Sequence, residues 1–186
     1  MDIYVLLSFL LFLLIFAGVG MASILVKKDT TDDYLVAGRG MHPALAALSA
    51  VSTWNSGFMF IGFIGFMWLY GYPAIWVSIV STLGQLVAWI WLYKRIQNEA
   101  KERNVRSLSS LVAKVKGAPE AKLAALLSVC FLLIYAAAQL SSGGKALFAM
   151  LGWDQTVGIL IGYMLVILYC TAGGIRASIW TDAAQS

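Results

Sequence analysis

Charged residues are scarce in this sequence of 186 residues. Asp, Glu, Lys and Arg make up 12% of the chain, apolar residues make up 61%, and the mean hydropathy is +0.83. These values lie far outside the range of soluble domains, which need many more charges on their surfaces. The composition therefore predicts an integral membrane protein.

Cysteine and histidine are almost absent. The two cysteines, Cys130 and Cys170, both lie in apolar runs, which argues against a disulfide framework. The only histidine, His42, stands beside Pro43 without Cys, Asp or Glu at the spacing of a metal site or a catalytic triad, so we interpret it as an interfacial residue. The sequence thus favours neither redox chemistry nor an enzyme, and we expect no cofactor.

Five apolar segments have about the length that a helix needs to cross a bilayer, which is about 20 residues. They are residues 3–26, 43–69, 74–93, 123–151 and 157–172. The first lacks the basic start of a signal peptide and has a longer apolar core, so we interpret it as a retained span. None of the segments alternates as a strand does, and backbone in lipid must be helical or closed into a barrel. We therefore predict an all-α polytopic membrane protein.

Basic residues fall almost entirely on one side of these spans. Twelve of the 13 Lys and Arg residues follow the first, third and fifth spans, and Lys145 is the exception. The other two connections, 70–73 and 152–156, contain no basic residue. The positive-inside rule then places the N-terminus outside and the basic loops in the cytoplasm of a cell-membrane protein. The net charge thus needs no nucleic-acid partner, and segment 94–122 is predicted to be a solvated cytoplasmic connection with room for a short amphipathic helix.

Two of the predicted spans carry stripes of polar residues, which normally face a neighbouring helix or a wet cavity because lipid cannot hydrogen-bond them. The stripes, spaced by three or four residues, are Ser78, Ser81, Thr82 and Gln85 in the third span, and Tyr135, Gln139 and Ser142 in the fourth. Each stripe occupies one helix face. Helix–helix contact and the lining of a cavity are both compatible with this pattern.

The second span contains the sequence STWNSG at residues 52–57, in which five of six positions are polar or glycine. A contiguous set cannot belong to one face of a regular helix. Ser, Thr and Asn offer the backbone other hydrogen bonds, and Gly disfavours a helix interior by about 1 kcal/mol, so we predict a break. Secondary transporters use the carbonyls and amides of such a break to bind cations and anionic groups. A polar kink without any ligand fits the composition equally well.

Four segments of the chain resemble the sodium:solute symporters, the family of proline, pantothenate and sugar cotransporters. They are TDDYLVAGRG at 31–40, ALSA at 47–50 followed by Ser56 and Gly57, YAAAQLSSGGK at 135–145, and GGIRA at 173–177 followed by WTDAAQ at 180–185. The resemblance covers nearly the whole chain. It implies two inverted five-helix repeats preceded by one extra helix. Residues 3–26 would be the extra helix, and the rest most of the first repeat, with a further helix starting at about 177–186.

The resemblance also implies site residues, with Na⁺ as coupling ion and a small organic solute as substrate. It assigns the cation site to Thr53, Trp54, Asn55 and Ser56, the substrate cavity to Asn55, Gly57, Gln139 and Ser142, and coupling to Arg39 and Asp182. The sequence departs from the proline-type members at Trp54, where they have a carboxylate. The departure argues against carboxylate-assisted Na⁺ binding at this helix and against proline. An amino acid, a sugar and a small carboxylate are all compatible solutes.

The expected function is that of the N-terminal part of a Na⁺-coupled symporter that does not transport alone. The second repeat would come from the same longer chain or from a separate subunit, because alternating access needs both repeats. Two alternatives are a symporter-like membrane sensor or anchor, and a decayed remnant without transport. Na⁺-dependent uptake separates the symporter from both.

Overall fold

The computed structural model describes residues 3–115 and 117–186, which form helices and connecting turns without any strand. The helices are α1 Ile3–Ala22, α2 Thr31–Val36, α3 Pro43–Trp54, α4 Phe63–Tyr70, α5 Ile75–Val87, α6 Tyr93–Glu102, α7 Leu108–Val112, α8 Pro119–Leu151 and α9 Gln155–Gln185. A 3-10 turn, Ser23–Val26, continues α1, and π-helical turns lead into α4 and α6. The predicted all-α class is confirmed.

Several of these helices are long and apolar enough to cross a bilayer. Four single stretches qualify, namely Ile3–Val26, Tyr72–Glu102, Pro119–Leu151 and Gln155–Gln185. The pair Pro43–Trp54 and Phe58–Tyr70, bent by 40° at a short break, makes a fifth span when its halves are counted together. Large apolar side chains such as Trp68 and Phe131 are exposed on these helices, as expected where lipid is the solvent. The protein is a polytopic membrane protein.

The chain forms two compact units, Met1–Phe60 with Ala136–Ser186, and Ile61–Tyr135. In the first unit, α1, α2 and α3 all pack against α9. Ser23 and Thr181 are buried there, and their hydroxyls donate to backbone carbonyls of their own helices at 2.6 and 2.9 Å. The small polar residues of this core are therefore satisfied without a ligand.

Helix α9 is kinked at Gly174, which has a φ of 60° and a ψ of −148°. Glycine adopts this conformation readily because it has no side chain, whereas other residues are strained there. A Cβ at this position would also lie 2.5 Å from the carbonyl oxygen of Tyr34. Gly174 thus lets α2 pack directly against the kink. The kink lies between residue 172, the end of the predicted fifth span, and residue 177, the start of the next predicted helix.

In the second unit, the helix of the third predicted span is longer than expected. The sequence KRIQNEAKE consists mainly of good helix formers, and α6 continues through it to Glu102. Arg103 then donates hydrogen bonds to the carboxylate of Glu99 at 3.0 Å and to the carbonyl of Leu111 at 2.7 Å. Segment 94–122, interpreted above as a connection with room for a short amphipathic helix, thus begins with a helix that continues directly from the third span, and Arg103 holds the turn after it.

Candidate functional site

The second predicted span is interrupted within the sequence STWNSG. Helix α3 ends at Trp54, and Asn55 has a φ of −75° and a ψ of 59°, outside the helical region. Helical structure resumes at Gly57 and continues through a π-helical turn into α4. The predicted break is therefore confirmed.

The break redirects two backbone amides. The Ser56 amide donates to the carbonyl two residues before it at 2.8 Å, and the Gly57 amide donates to Oε1 of Gln139 at 2.7 Å. In an unbroken helix these amides would donate to the carbonyls of Ser52 and Thr53, four residues earlier. The end of α3 therefore has carbonyls without their regular helical partners, and such carbonyls carry the partial negative charge of a helix C-terminus.

The break approaches α8 closely at Gly57. A Cβ on Gly57 would lie 2.6 Å from Cβ of Ser142 and 2.9 Å from Oε1 of Gln139. Only glycine leaves room for the backbone hydrogen bond to α8. Three of the predicted cavity residues, Gly57, Gln139 and Ser142, thus lie together. The fourth, Asn55, is exposed, and its side chain makes no hydrogen bond to any other described residue.

The region predicted to bind the cation is the break itself. The Thr53 hydroxyl donates to the carbonyl of Ser49 at 2.9 Å, so its proton is used within α3. Trp54 is 43% exposed, and Ser56 is half-buried. The backbone carbonyls of the break and the side-chain oxygens of Asn55 and Ser56 are then the oxygen atoms that suit a hard cation.

Asp182, predicted to act in coupling, lies beyond the kink of α9 and contacts α3. Its Oδ2 accepts a hydrogen bond from the hydroxyl of Ser49 at 2.6 Å. Ser49 lies in the middle of α3, one helical turn before Thr53, so Asp182 contacts the middle of this helix and does not contact the break itself. Ser49 was not among the predicted site residues. The sequence contained two signals for it, namely its polar side chain within an apolar span and its place in the ALSA motif.

Arg39, the second predicted coupling residue, lies in a left-handed turn after α2. Ala37, Gly38 and Arg39 have φ values of 51°, 61° and 54°. This region costs residues other than glycine about 1–2 kcal/mol each, so packing must hold the turn in place. Ala37 is buried, and its carbonyl accepts a hydrogen bond from Arg176 at 3.3 Å. Arg39 therefore belongs to the junction of α2 with α9.

An ion pair between Asp33 and Arg176 joins two of the sequence motifs. Their side chains are 3% and 13% exposed, and Asp33 also accepts from the backbone amide of Lys28 at 2.7 Å. The hydrogen bond from Arg176, and then the one from Lys28, hold the pKa of the Asp33 carboxyl below its ordinary value. The motifs TDDYLVAGRG and GGIRA are therefore in contact. The sequence contained one signal, since Arg176 is the only basic residue after Lys145 and an isolated charge between apolar stretches requires a partner.

His42 has a structural role at the start of α3. Its Nδ1 accepts a hydrogen bond from the amide of Ala44 at 3.2 Å and so caps the helix.

Within residues 3–115 and 117–186, no group of three or more His, Cys, Asp or Glu side chains is placed to hold a metal ion.

The pattern of the family is present in the sequence of this chain. A sequence profile of the sodium:solute symporter family matches residues 34–186, which is most of the chain. The chain belongs to the sodium:solute symporter family. The match includes the break at Asn55, the contact between Gly57 and Gln139, and Asp182.

Curated relatives agree with this assignment. The chain is 29% identical to the high-affinity proline transporter PutP of Bacillus subtilis, with 86% of this chain and 34% of the relative covered. It is 30% identical to the osmoregulated proline transporter OpuE of the same organism, with 85% and 33% covered. It is 29% identical to the sodium/proline symporter of Escherichia coli, with 83% and 32% covered. The chain thus spans about a third of the length of these relatives. No solved structure matches it.

Proposed function

We propose that this segment supplies one half of the Na⁺ and solute site of a symporter that drives uptake of a small organic solute. The proposal rests on the break in the second span, where the Gly57 amide bonds to Gln139 on α8. Thr53, Trp54, Asn55 and Ser56 form the cation region. Asn55, Gly57, Gln139 and Ser142 line the solute cavity.

The cation region follows from the end of α3. The carbonyls of Ser52 and Thr53 lack their regular amide partners and lie at the negative end of the helix dipole. Oxygen atoms with partial negative charge replace part of the hydration shell of Na⁺, as in other transporters with broken helices. The second repeat supplies the remaining ligands.

The residues proposed to line the solute cavity are uncharged, but they offer hydrogen-bond donors and acceptors in fixed directions. The Gly57 amide requires an oxygen acceptor, so Oε1 of Gln139 faces it and Nε2 of Gln139 is left as a donor. A carboxylate or a hydroxyl group of the solute would accept from Nε2. Because the named relatives are proline transporters, proline is the first solute to test. Trp54, in place of the carboxylate of proline-type members, argues for testing sugars and other amino acids beside it.

Coupling involves Arg39 and Asp182, and it requires a second repeat. The repeat is part of the same longer chain or a separate subunit, since alternating access needs one repeat to move against the other. The segment alone does not transport. In support of this, the segment matches only about a third of the length of a curated transporter.

The N-terminus lies outside the cell, and the basic loops lie in the cytoplasm. The contact between Asp33 and Arg176 supports this topology, because it requires the connections after the first and fifth spans to lie on the same side. The positive-inside rule then makes that side cytoplasmic.

The test is uptake of labelled proline, sugars and amino acids by proteoliposomes that contain the complete protein. An inward Na⁺ gradient should drive accumulation, and replacement of Na⁺ by choline should abolish it. Uptake that is indifferent to choline would exclude Na⁺ symport. Solute binding without any accumulation would instead favour a membrane sensor.

A further inference from the structure

A cavity of about 400 Å³ lies beside the junction of α2 with α9, at the end of the first membrane helix. Lys27, Lys28, Thr30 and Thr31 line one part of it, and Tyr34 lines another. None of these residues is in the break or among the predicted site residues. The cavity is therefore separate from the proposed transport site.

The residues that line the cavity carry one net positive charge, because Lys27 and Lys28 stand against Asp29. The Lys28 ammonium group has no hydrogen bond or ion pair with any described residue. Lys27 is 3.5 Å from Asp29, but the Asp29 side chain is 91% exposed, so this pair is weak. The nearby Asp33 carboxylate is already bonded to Arg176 and to the Lys28 amide. Two lysines thus face one exposed carboxylate.

The position of the cavity relative to the membrane points to the kind of ligand. Lys27 directly follows the apolar stretch Ile3–Val26, so the cavity lies where lipid headgroups begin. Leu35 lines the cavity and is 49% exposed, and Leu25, two residues before Lys27 in the sequence, is 87% exposed. Ammonium groups and hydroxyls next to exposed apolar side chains suit an anionic phosphate attached to acyl chains.

We propose that this cavity binds the phosphate group of an anionic phospholipid. The ammonium groups of Lys27 and Lys28 pair with the phosphate, the hydroxyls of Thr30 and Thr31 donate to it, and the acyl chains lie against Leu25. Free inorganic phosphate offers the same anion without acyl chains. It would lack contact with the apolar side chains, which is why the lipid is the favoured source.

Native mass spectrometry of the protein in neutral-detergent micelles would measure this binding, with phosphatidylglycerol, phosphatidylcholine and inorganic phosphate added separately. The double variant K27Q/K28Q removes both ammonium groups. A lysine near a lipid surface contributes about 1 kcal/mol, so we expect phosphatidylglycerol to bind about 30-fold more weakly to this variant. The matched control K94Q/R95Q removes two charges that also follow an apolar helical stretch but do not line the cavity. It should leave the affinity nearly unchanged, and K27R/K28R should retain binding.

Three outcomes would overturn the proposal. An equal loss in the K94Q/R95Q control would mean general attraction to basic residues. Equal affinity for phosphatidylcholine would mean that the anionic headgroup is not recognised. Binding of inorganic phosphate at the same lysines as tightly as phosphatidylglycerol would identify a site for a free anion and not for lipid.

Discussion

The substitution Gly57→Ala tests how closely the break approaches α8. The new methyl group would lie 2.6 Å from Cβ of Ser142. Both Cβ atoms are fixed to backbone, so no rotamer change relieves the contact, and the two segments must separate by about 1 Å to reach normal carbon–carbon distances. That movement would break the 2.7 Å hydrogen bond from Gly57 to Gln139. We expect the free energy of unfolding to fall by about 1–3 kcal/mol, as for other overpacked interiors.

The assay is unfolding of the purified protein in mixed micelles by titration with dodecyl sulfate, followed by circular dichroism. The variant Gly143→Ala is the matched control, because a Cβ there meets nothing within 4 Å. It should be as stable as the parent or more stable. In the double variant G57A/S142G the opposing Cβ is absent, so it should recover part of the stability, although glycine at 142 costs about 0.5–1 kcal/mol in a helix. If Gly57→Ala is as stable as the parent, Gly57 does not lie as close to Ser142 as described above.

Three further predictions follow from the structure. Gln139→Leu should destabilise the protein by about 1–3 kcal/mol in the same titration, since it leaves a backbone amide at the break without an acceptor; unchanged stability would contradict this contact. Because the folded-state pKa of Asp33 is lowered, its stabilisation is complete above the ordinary value of 3.8 and is lost as the pH falls below it. Arg176→Gln should therefore lower thermal stability at neutral pH and make stability fall less on acidification than it does in the parent. If the stability of the variant and of the parent changes with pH in the same way, the ion pair does not stabilise the fold. In cysteine-free protein in intact cells, an impermeant maleimide should label Tyr72→Cys but not Lys101→Cys, and the reverse result would invert the topology.

The break could be predicted from the sequence because its cause is local. Residues 52–57 combine side chains that compete for backbone hydrogen bonds with a glycine, and no distant contact is needed to disfavour the helix there. The partner of the break could not be derived in this way. Gln139 belongs to a polar stripe that fits helix contacts as well as a cavity, and only the packed structure shows that it accepts from Gly57.

Contacts between distant segments account for what the sequence did not predict. The ion pair of Asp33 with Arg176 joins residues 143 positions apart, and the hydrogen bond of Ser49 to Asp182 joins residues 133 apart. Spacing within one helix carries no information on such pairs. A short helix in segment 94–122 was anticipated, but its direct continuation from the third span was not, because charged residues were taken to end the span although they continue a helix readily.

The most direct test of the account is the Na⁺ dependence of solute uptake by the complete protein with Ser56→Leu. The matched control is Ser128→Leu on α8, where the hydroxyl only bonds back to the carbonyl of Ala124 at 2.7 Å. If the break binds Na⁺, Ser56→Leu should abolish activation by Na⁺, and Ser128→Leu should respond to Na⁺ as the parent does. An unchanged Na⁺ dependence in Ser56→Leu would contradict the assignment of the cation site to the break.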